Sequence, residues 1–130
     1  MVSTNPGDMM QRVAMTGATG FIGRHLLGRL LQDGYQVNAL VRKPHDHDDL
    51  CNGGVRVIEG DLNQKGALED LVRDADVIIH LAGTAGIAKA LEDPRAAFLT
   101  HAVGTLNLLE AVRLRQNREC LFIYPSSEMI

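Results

Sequence analysis

The sequence predicts an α/β fold in which a doubly wound parallel sheet, about five strands in the order 3-2-1-4-5, is covered by helices. Three observations predict this fold. Short apolar runs alternate with segments of helical periodicity, the pattern of parallel strands joined by helical crossovers. A glycine turn with the spacing G-x-x-G-x-x-G, from Gly17 to Gly23, joins the first apolar run directly to the first helical segment. The fourth run, residues 77–81, is almost wholly apolar, as expected for a strand buried on both faces.

The first part of the chain predicts two strands and one helix around the glycine turn. Residues 12–15 form the first strand, and the helix Phe21–Gln32 carries leucines on one face, with Gly34 as its C-terminal cap. The second strand spans Gln36–Val41. The polar residues 42–54 that follow it predict a loop.

The rest of the chain predicts three more strands separated by helices. Pro94 fits a helix start, because its fixed φ and missing N–H suit the first turn. Residues 82–93 are small and contain glycine, which predicts a less regular segment. In order, the expected elements are a strand at 55–58, a helix at Lys65–Val72, a strand at 77–81, a longer helix at 94–116 and a strand at 120–124.

The glycine turn predicts a phosphate site. A helix that begins directly after a strand presents unpaired backbone N–H groups and the positive end of its dipole to an anion. Gly17 permits the tight turn, Gly20 lets a pyrophosphate approach the backbone, and Gly23 lets the helix pack close to the strand. The chain is therefore expected to bind a dinucleotide.

Composition limits the other roles of the chain. Its 130 residues suit one domain, and its net charge of −3 predicts neither a nucleic-acid surface nor a membrane surface. No apolar run approaches the roughly 20 residues that span a bilayer. Cys51 and Cys120 form no C-x-x-C pair, which favours reduced thiols in a cytoplasmic protein. Residues 1–11 are expected to be a flexible tail and residues 12–130 an incomplete dinucleotide-binding domain without a substrate domain.

The run His-Asp-His-Asp-Asp at residues 45–49 contains side chains that bind metals. It lies in a predicted loop, with no helix to fix the geometry of the ligands. We therefore expect a solvated loop there and no metal site.

The end of the second strand carries cations instead of a carboxylate. Folds that prefer NAD place Asp or Glu there, bonded to the ribose 2′-hydroxyl. Val41 holds that position here, Arg42 and Lys43 follow it, and Arg24 lies just inside the first helix. Because Arg42 can bind a 2′-phosphate through two hydrogen bonds, this pattern predicts NADP, with NAD as the second choice. The alternative is that Arg42 and Lys43 are a solvated pair.

Five sequence motifs, in register with one another, cover almost the whole chain after Gln11. They are T-G-x-x-G-F-I-G at residues 16–23, G-D-L at 60–62, H-L-A-G at 80–83, G-T-L-N-L-L-E-A at 104–111 and F-I-Y-P-S-S at 122–127. Together they resemble the extended short-chain dehydrogenase/reductase family, the NAD(P)-dependent epimerases and dehydratases. The resemblance implies a Rossmann-like fold and hydride transfer on a nucleotide-sugar or related hydroxyl/carbonyl substrate.

The resemblance also implies cofactor contacts at the matching positions. The glycine turn would lie against the pyrophosphate, the residues after strand three beside the adenine, and those after strand four along the ribose and nicotinamide. Asp61 has an alternative as a turn residue, and His80 is more readily a satisfied core histidine than a cofactor contact. The implied contacts are Gly17, Thr19, Gly20, Phe21, Ile22, Gly23, Asp61, Leu62, Leu81, Ala82 and Gly83.

A catalytic serine is implied after the fifth strand. Ser127 is the first choice, because it resembles the serine that precedes the family's S-x-x-V-Y-like continuation, and Ser126 is the second. A hydroxyl there would hydrogen-bond the substrate oxygen at the carbon that exchanges hydride. The alternative is that both serines belong to a simple loop. The family's proton donor, the tyrosine of Y-x-x-x-K, has no match, since neither Tyr35 nor Tyr124 is followed by lysine four residues later.

Two further departures shape the expected function. His101 stands where the family usually has asparagine, and the last strands and the substrate-binding region are not matched. The chain is therefore expected to be the cofactor-binding part of such an enzyme and inactive as it stands. One alternative is a non-catalytic NADP(H)-binding redox sensor that signals by assembly, and another is a remnant without a function. A homodimer is expected, through the edge of the last strand or through the helix at 95–116.

Overall fold

A computed structural model describes residues 11–44, 47–116 and 119–127, which form a parallel sheet of five strands in the order β3-β2-β1-β4-β5. The predicted fold class and strand order are confirmed. The strands are β1 (Arg12–Thr16), β2 (Gln36–Val41), β3 (Arg56–Glu59), β4 (Val77–His80) and β5 (Leu121–Ile123). The helices are α1 (Phe21–Gln32), α2 (Asp48–Asn52), α3 (Lys65–Val72), α4 (Ile87–Glu92), α5 (Pro94–Phe98) and α6 (Gly104–Leu114), with a π-helical segment at Leu99–Val103 between α5 and α6.

The central strand β1 brings three carboxyl ends together. Thr16, its last residue, pairs with Leu40 of β2 on one side and with His80 of β4 on the other. The order of the strands reverses between β1 and β4, and ligands of such sheets bind beyond the carboxyl ends at that point. The glycine turn, which follows Thr16 directly, lies at this position.

The sheet separates two apolar clusters. Side chains alternate between the faces of a strand, so Ala14 belongs to one cluster while Val13 and Met15 belong to the other. The first cluster packs α3 and α6 on the sheet through Leu68 and Leu108, both of which are buried. The second packs α1, with Leu27, and α2. Burial on both faces holds the strand ends in fixed positions.

Two segments that were predicted to lack regular structure contain short helices. The predicted loop 42–54 contains α2, which the sequence pattern missed because five residues are too few to display a helical period. Asp48 and Asp49 in the first turn of α2 stabilise the helix through the positive end of its dipole. The buried side chain of Leu50 packs α2 against the core. The predicted irregular segment 82–93 contains α4.

The predicted helix at 94–116 is interrupted and ends at Leu114. It begins with α5, capped by the Asp93 carboxylate, which accepts a hydrogen bond from the Ala96 N–H. It then widens into the π-helical segment before α6. The Thr100 hydroxyl donates to the Ala96 carbonyl, and such bonds to the preceding turn bend helices. The strand boundaries differ from the prediction by one residue at most.

Two smaller expectations concern the thiols and the membrane. Cys120 is a free thiol, and the side chain of Cys51 lies outside the described part of the chain. Within the described ranges, no helix has both the length and the apolar character needed to cross a bilayer.

Candidate functional site

The glycine turn between β1 and α1 is closed tightly against the end of β4. Gly17 has a φ of +74°, in the left-handed region that favours glycine. A Cβ at this position would lie 2.6 Å from the Leu81 carbonyl carbon and 2.7 Å from the Ala82 nitrogen. Only a residue without a side chain therefore fits between the turn and the β4 backbone.

The same turn packs tightly inside and stays open outside. A Cβ on the buried Gly23 would overlap the Gly17 carbonyl oxygen, which also accepts the N–H of Gly20 at 3.2 Å. At Gly20 the nearest atom to a built Cβ is that same oxygen, at 3.4 Å. Gly20 is thus the place where another group can approach the turn.

The N-terminus of α1 faces this open side. Gly20 is its N-cap and has no side chain to accept the first-turn N–H groups, and the turn has no acidic residue. Phe21 and Ile22, the first helical residues, are exposed. The glycine turn and the first turn of α1, residues 17–23, thus form a cradle that offers backbone N–H donors and the positive end of the helix dipole. Such a cradle fits the pyrophosphate of a dinucleotide. Thr19 lies within the turn and is half-buried.

His80 joins three elements below the cradle. Its Nδ1 lies 2.6 Å from the Thr16 hydroxyl oxygen, and its Nε2 lies 2.8 Å from that of Thr105 on α6. Thr16 Oγ1 also accepts the N–H of Ala82 at 3.2 Å. A neutral imidazole has one donor and one acceptor nitrogen, so it can satisfy both hydroxyls. His80 is the satisfied core histidine that the sequence favoured, and it fixes the turn after β4.

Burial keeps His80 neutral. The side chain is fully buried, and desolvation, with a smaller contribution from the charge of His101, lowers the pKa of His80 to about 4. Tyr124, just after β5, stacks on the ring with the centroids 5.1 Å apart. The sequence showed His80 but not its partner Thr105, which lies 25 residues away along the chain.

The residues after β4 are held from the π-helical segment. His101 Nε2 accepts the N–H of Thr84 at 3.0 Å, and its ring covers Gly83 so closely that a Cβ there would overlap the ring. Leu81 and Ala82 are partly buried behind the glycine turn. His101, noted in the sequence only as an unusual residue, therefore fixes the loop that follows β4.

The turn after β3 has its own hydrogen bonds. The Asp61 carboxylate accepts the N–H of Asn63 at 2.7 Å, while the Asp61 N–H donates to the side chain of Gln64 at 2.9 Å. These contacts are those of a turn residue, which was the alternative for Asp61. The carbonyl of the buried Leu62 accepts the side-chain amide of Asn107 at 2.9 Å, which ties this turn to α6.

Arg42 and Lys43 lie exposed after β2, and neither has a hydrogen bond or an ion pair with the described residues. The cation next to the glycine turn is Arg24, whose guanidinium binds the Thr19 carbonyl and Asp49. Asp49 belongs to the helix α2 that the sequence did not predict.

The predicted catalytic serines are on the surface, and part of the run 45–49 lies outside the described residues. Ser126 and Ser127 follow β5 and are exposed. His45 and Asp46 lie outside the described residues. Within the described ranges, no group of three or more metal-binding side chains is close enough to hold an ion.

Comparisons with known proteins agree with this architecture. A model of the NAD dependent epimerase/dehydratase family matches residues 13–130. A ceramide reductase of Caulobacter vibrioides is 48% identical over 71 residues, which are 55% of this chain and 22% of the reductase. A UDP-glucose 4-epimerase of Pisum sativum is 29% identical in an alignment of 132 positions that covers 86% of this chain and 36% of the epimerase.

A solved structure gives the same picture. The UDP-glucose 4-epimerase of Thermus thermophilus, in complex with NAD, matches with a TM-score of 0.70 and 34% identity. The match covers 79% of this chain and 34% of that structure. The chain thus spans between a fifth and about a third of the length of these three proteins.

Proposed function

Because the chain belongs to the NAD dependent epimerase/dehydratase family, we propose that it is the dinucleotide-binding part of an oxidoreductase or epimerase. The observation that carries the proposal is the glycine cradle. Gly17 and Gly23 leave no room for a Cβ, while Gly20 opens the N-terminus of α1 to a pyrophosphate. In this proposal residues 12–130 form the cofactor-binding domain.

NADP is the proposed cofactor, with NAD as the second choice. When bound, its nicotinamide ring accepts or donates the hydride. The chain's own contribution is to bind the pyrophosphate at the cradle and to place cations beyond β2. Arg42 and Lys43 are exposed there, and Val41 provides no carboxylate that would repel a 2′-phosphate. The Thermus thermophilus epimerase complex contains NAD, which supports the second choice.

The proposed substrate is a nucleotide-sugar or a related hydroxyl/carbonyl compound. The similarity to UDP-glucose 4-epimerases supports the first class. The similarity to a ceramide reductase, at 48% identity, supports reduction of a carbonyl group as the second candidate.

Ser127, or Ser126 as the second choice, is the proposed catalytic group. Both serines are exposed beyond the carboxyl end of β5, and the cradle lies beyond the carboxyl end of the parallel strand β1. A serine hydroxyl there can hydrogen-bond the substrate oxygen, but proton transfer needs a second group. Because neither Tyr35 nor Tyr124 starts a Y-x-x-x-K motif, we expect no turnover by these 130 residues.

Calorimetric titration with NADPH and NADH tests the proposal. We expect NADPH to bind more tightly, and Arg42→Ala to raise its Kd about tenfold, as for a lost charged hydrogen bond, with little change for NADH. Arg12→Ala is the matched control, because Arg12 begins β1 and lies at the amino ends of the strands, away from the glycine turn. Absence of binding to both nucleotides would refute the proposed function. Tighter binding of NADH would refute only the choice of NADP.

A further inference from the structure

Arg24 is held by three groups where the glycine turn meets the connection between β2 and α2. Its Nε donates to the Thr19 carbonyl at 3.1 Å, and its Nη1 donates to Asp49 Oδ2 at 3.3 Å. Its Nη2 lies 3.0 Å from His47 Nδ1. Because a guanidinium only donates, His47 Nδ1 is the acceptor of this hydrogen bond.

These contacts place the guanidinium between two parts of the proposed cofactor site. Thr19 belongs to the cradle for the pyrophosphate, whereas His47 and Asp49 follow the end of β2. In dinucleotide-binding sheets the group at the ribose 2′ position is recognised at the end of β2. Arg24 therefore connects the cradle to the segment that follows β2, where a 2′-phosphate would be recognised, and it is already paired with a carboxylate.

We propose that Asp49 is a specificity-determining residue that competes with the 2′-phosphate of NADP for Arg24. The inference rests on the proposed function, since it takes the chain to bind a dinucleotide. A 2′-phosphate can use Arg24 fully only if it replaces the Asp49 carboxylate, whereas the 2′-hydroxyl of NAD does not require this exchange. Asp49 thereby reduces the preference for NADP that Arg42 and Lys43 create.

The exposure of the pair makes this exchange feasible. The side chains of Arg24 and Asp49 are 45% and 63% exposed, so solvent screens their attraction. Such a pair is weak enough for a dianionic phosphate to displace. The effect on specificity is accordingly moderate.

Asp49→Asn tests the inference by calorimetry with NADPH and NADH at one ionic strength. We expect the Kd for NADPH to fall about two- to fivefold, the range of an exposed ion pair, and the Kd for NADH to change less than about twofold. Asp48→Asn is the matched control, because it removes the same charge from the same turn. Asp48 has no ion pair with Arg24 in the described part of the chain. We expect it to change either Kd by less than about twofold.

A second comparison isolates Arg24. In an Arg24→Gln background, Asp49→Asn should leave the Kd for NADPH unchanged, because the competing pair no longer exists. If Asp49→Asn lowers the temperature of thermal unfolding, Asp49→Ser serves as a second variant without the carboxylate. Its Kd for NADPH is then compared in the wild-type and Arg24→Gln backgrounds.

The outcomes separate the two proposals. Equal effects of Asp49→Asn and Asp48→Asn, or an effect that persists without Arg24, would overturn the role of Asp49 while the dinucleotide site stands. A wild-type chain that binds neither nucleotide would overturn the proposed function, and the role of Asp49 with it.

Discussion

At the residue scale, His80 determines how the ends of β1 and β4 are joined. Both ring nitrogens lie within hydrogen-bond distance of threonine hydroxyls, and the side chain is fully buried. The pKa of His80 is lowered to about 4, from 6.5, by burial and by His101. The folded protein therefore resists a proton that the unfolded chain accepts.

This pKa predicts a pH dependence of stability. Between about pH 6.5 and about pH 4 the unfolded state binds more protons, so the free energy of unfolding falls as the pH decreases. We expect the His80 contribution to fall by about 2 kcal/mol between about pH 7.5 and about pH 5. Urea unfolding at several pH values measures it. His80→Gln should remove this part of the change in unfolding free energy with pH. His25→Gln, which replaces an exposed histidine, should retain it. Equal pH dependence in both variants would contradict the assignment to His80.

At the element scale, α3 and α6 are joined by one arginine. Arg115, just after α6, donates from Nη1 to the carbonyls of Val72 at 2.8 Å and Ala75 at 2.7 Å. These carbonyls lie at the end of α3 and in the turn after it, where the helix dipole favours a cation; the Val72 carbonyl also accepts the Ala75 N–H at 3.2 Å. The residue that follows α6 thus hydrogen-bonds the carbonyl end of α3 and the turn after it.

Arg115→Ala should therefore destabilise the domain by about 1–3 kcal/mol, because it leaves two carbonyls without their charged donor. Arg115→Lys should recover part of the loss, since an ammonium keeps the charge but not the planar geometry. Chemical denaturation measures both changes. Arg113→Ala is the control, because Arg113 pairs only with the exposed Glu110 among the described residues, and we expect little change. An equal loss for Arg113→Ala and Arg115→Ala would exclude this role.

At the scale of the whole molecule, large apolar side chains are exposed on several elements, among them α6 and the edge strand β5. Leu106 and Leu109 are exposed on α6, and Leu121 and Ile123 are exposed on β5. Among the described strands, β5 forms one edge of the sheet, with unpaired backbone groups along it. Exposed apolar patches of this kind favour association.

We therefore expect the 130-residue chain to self-associate, with a sedimentation coefficient that rises with concentration. Leu106→Lys with Leu109→Lys should abolish the rise if α6 is the interface, and Leu121→Lys should abolish it if the β5 edge is. A monomer at every concentration would rule out both surfaces. An increase in size on addition of NADPH, without turnover, would favour the redox-sensor alternative.

The resemblance of five motifs indicates the family, and local signals in the sequence predict the five strands and their order but miss the short helices α2 and α4. These signals are apolar periodicity and glycines at a fixed spacing between a strand and a helix. Gly17 could be identified from that spacing, and its φ and its approach to β4 are the physical reason why the position needs a residue without a Cβ. The site residues proposed from the motifs stay predictions until binding is measured.

Which residues act together depends on how the elements pack, and the sequence pattern does not show it. Thr16 and His80 are 64 residues apart, and Arg24 and Asp49 are 25 apart, so no local pattern relates them. The helix α2, which brings Asp49 to Arg24, is too short to show a period and is held by the burial of Leu50. Local periodicity determines elements, but contacts across the sheet and between helices arise only when those elements pack.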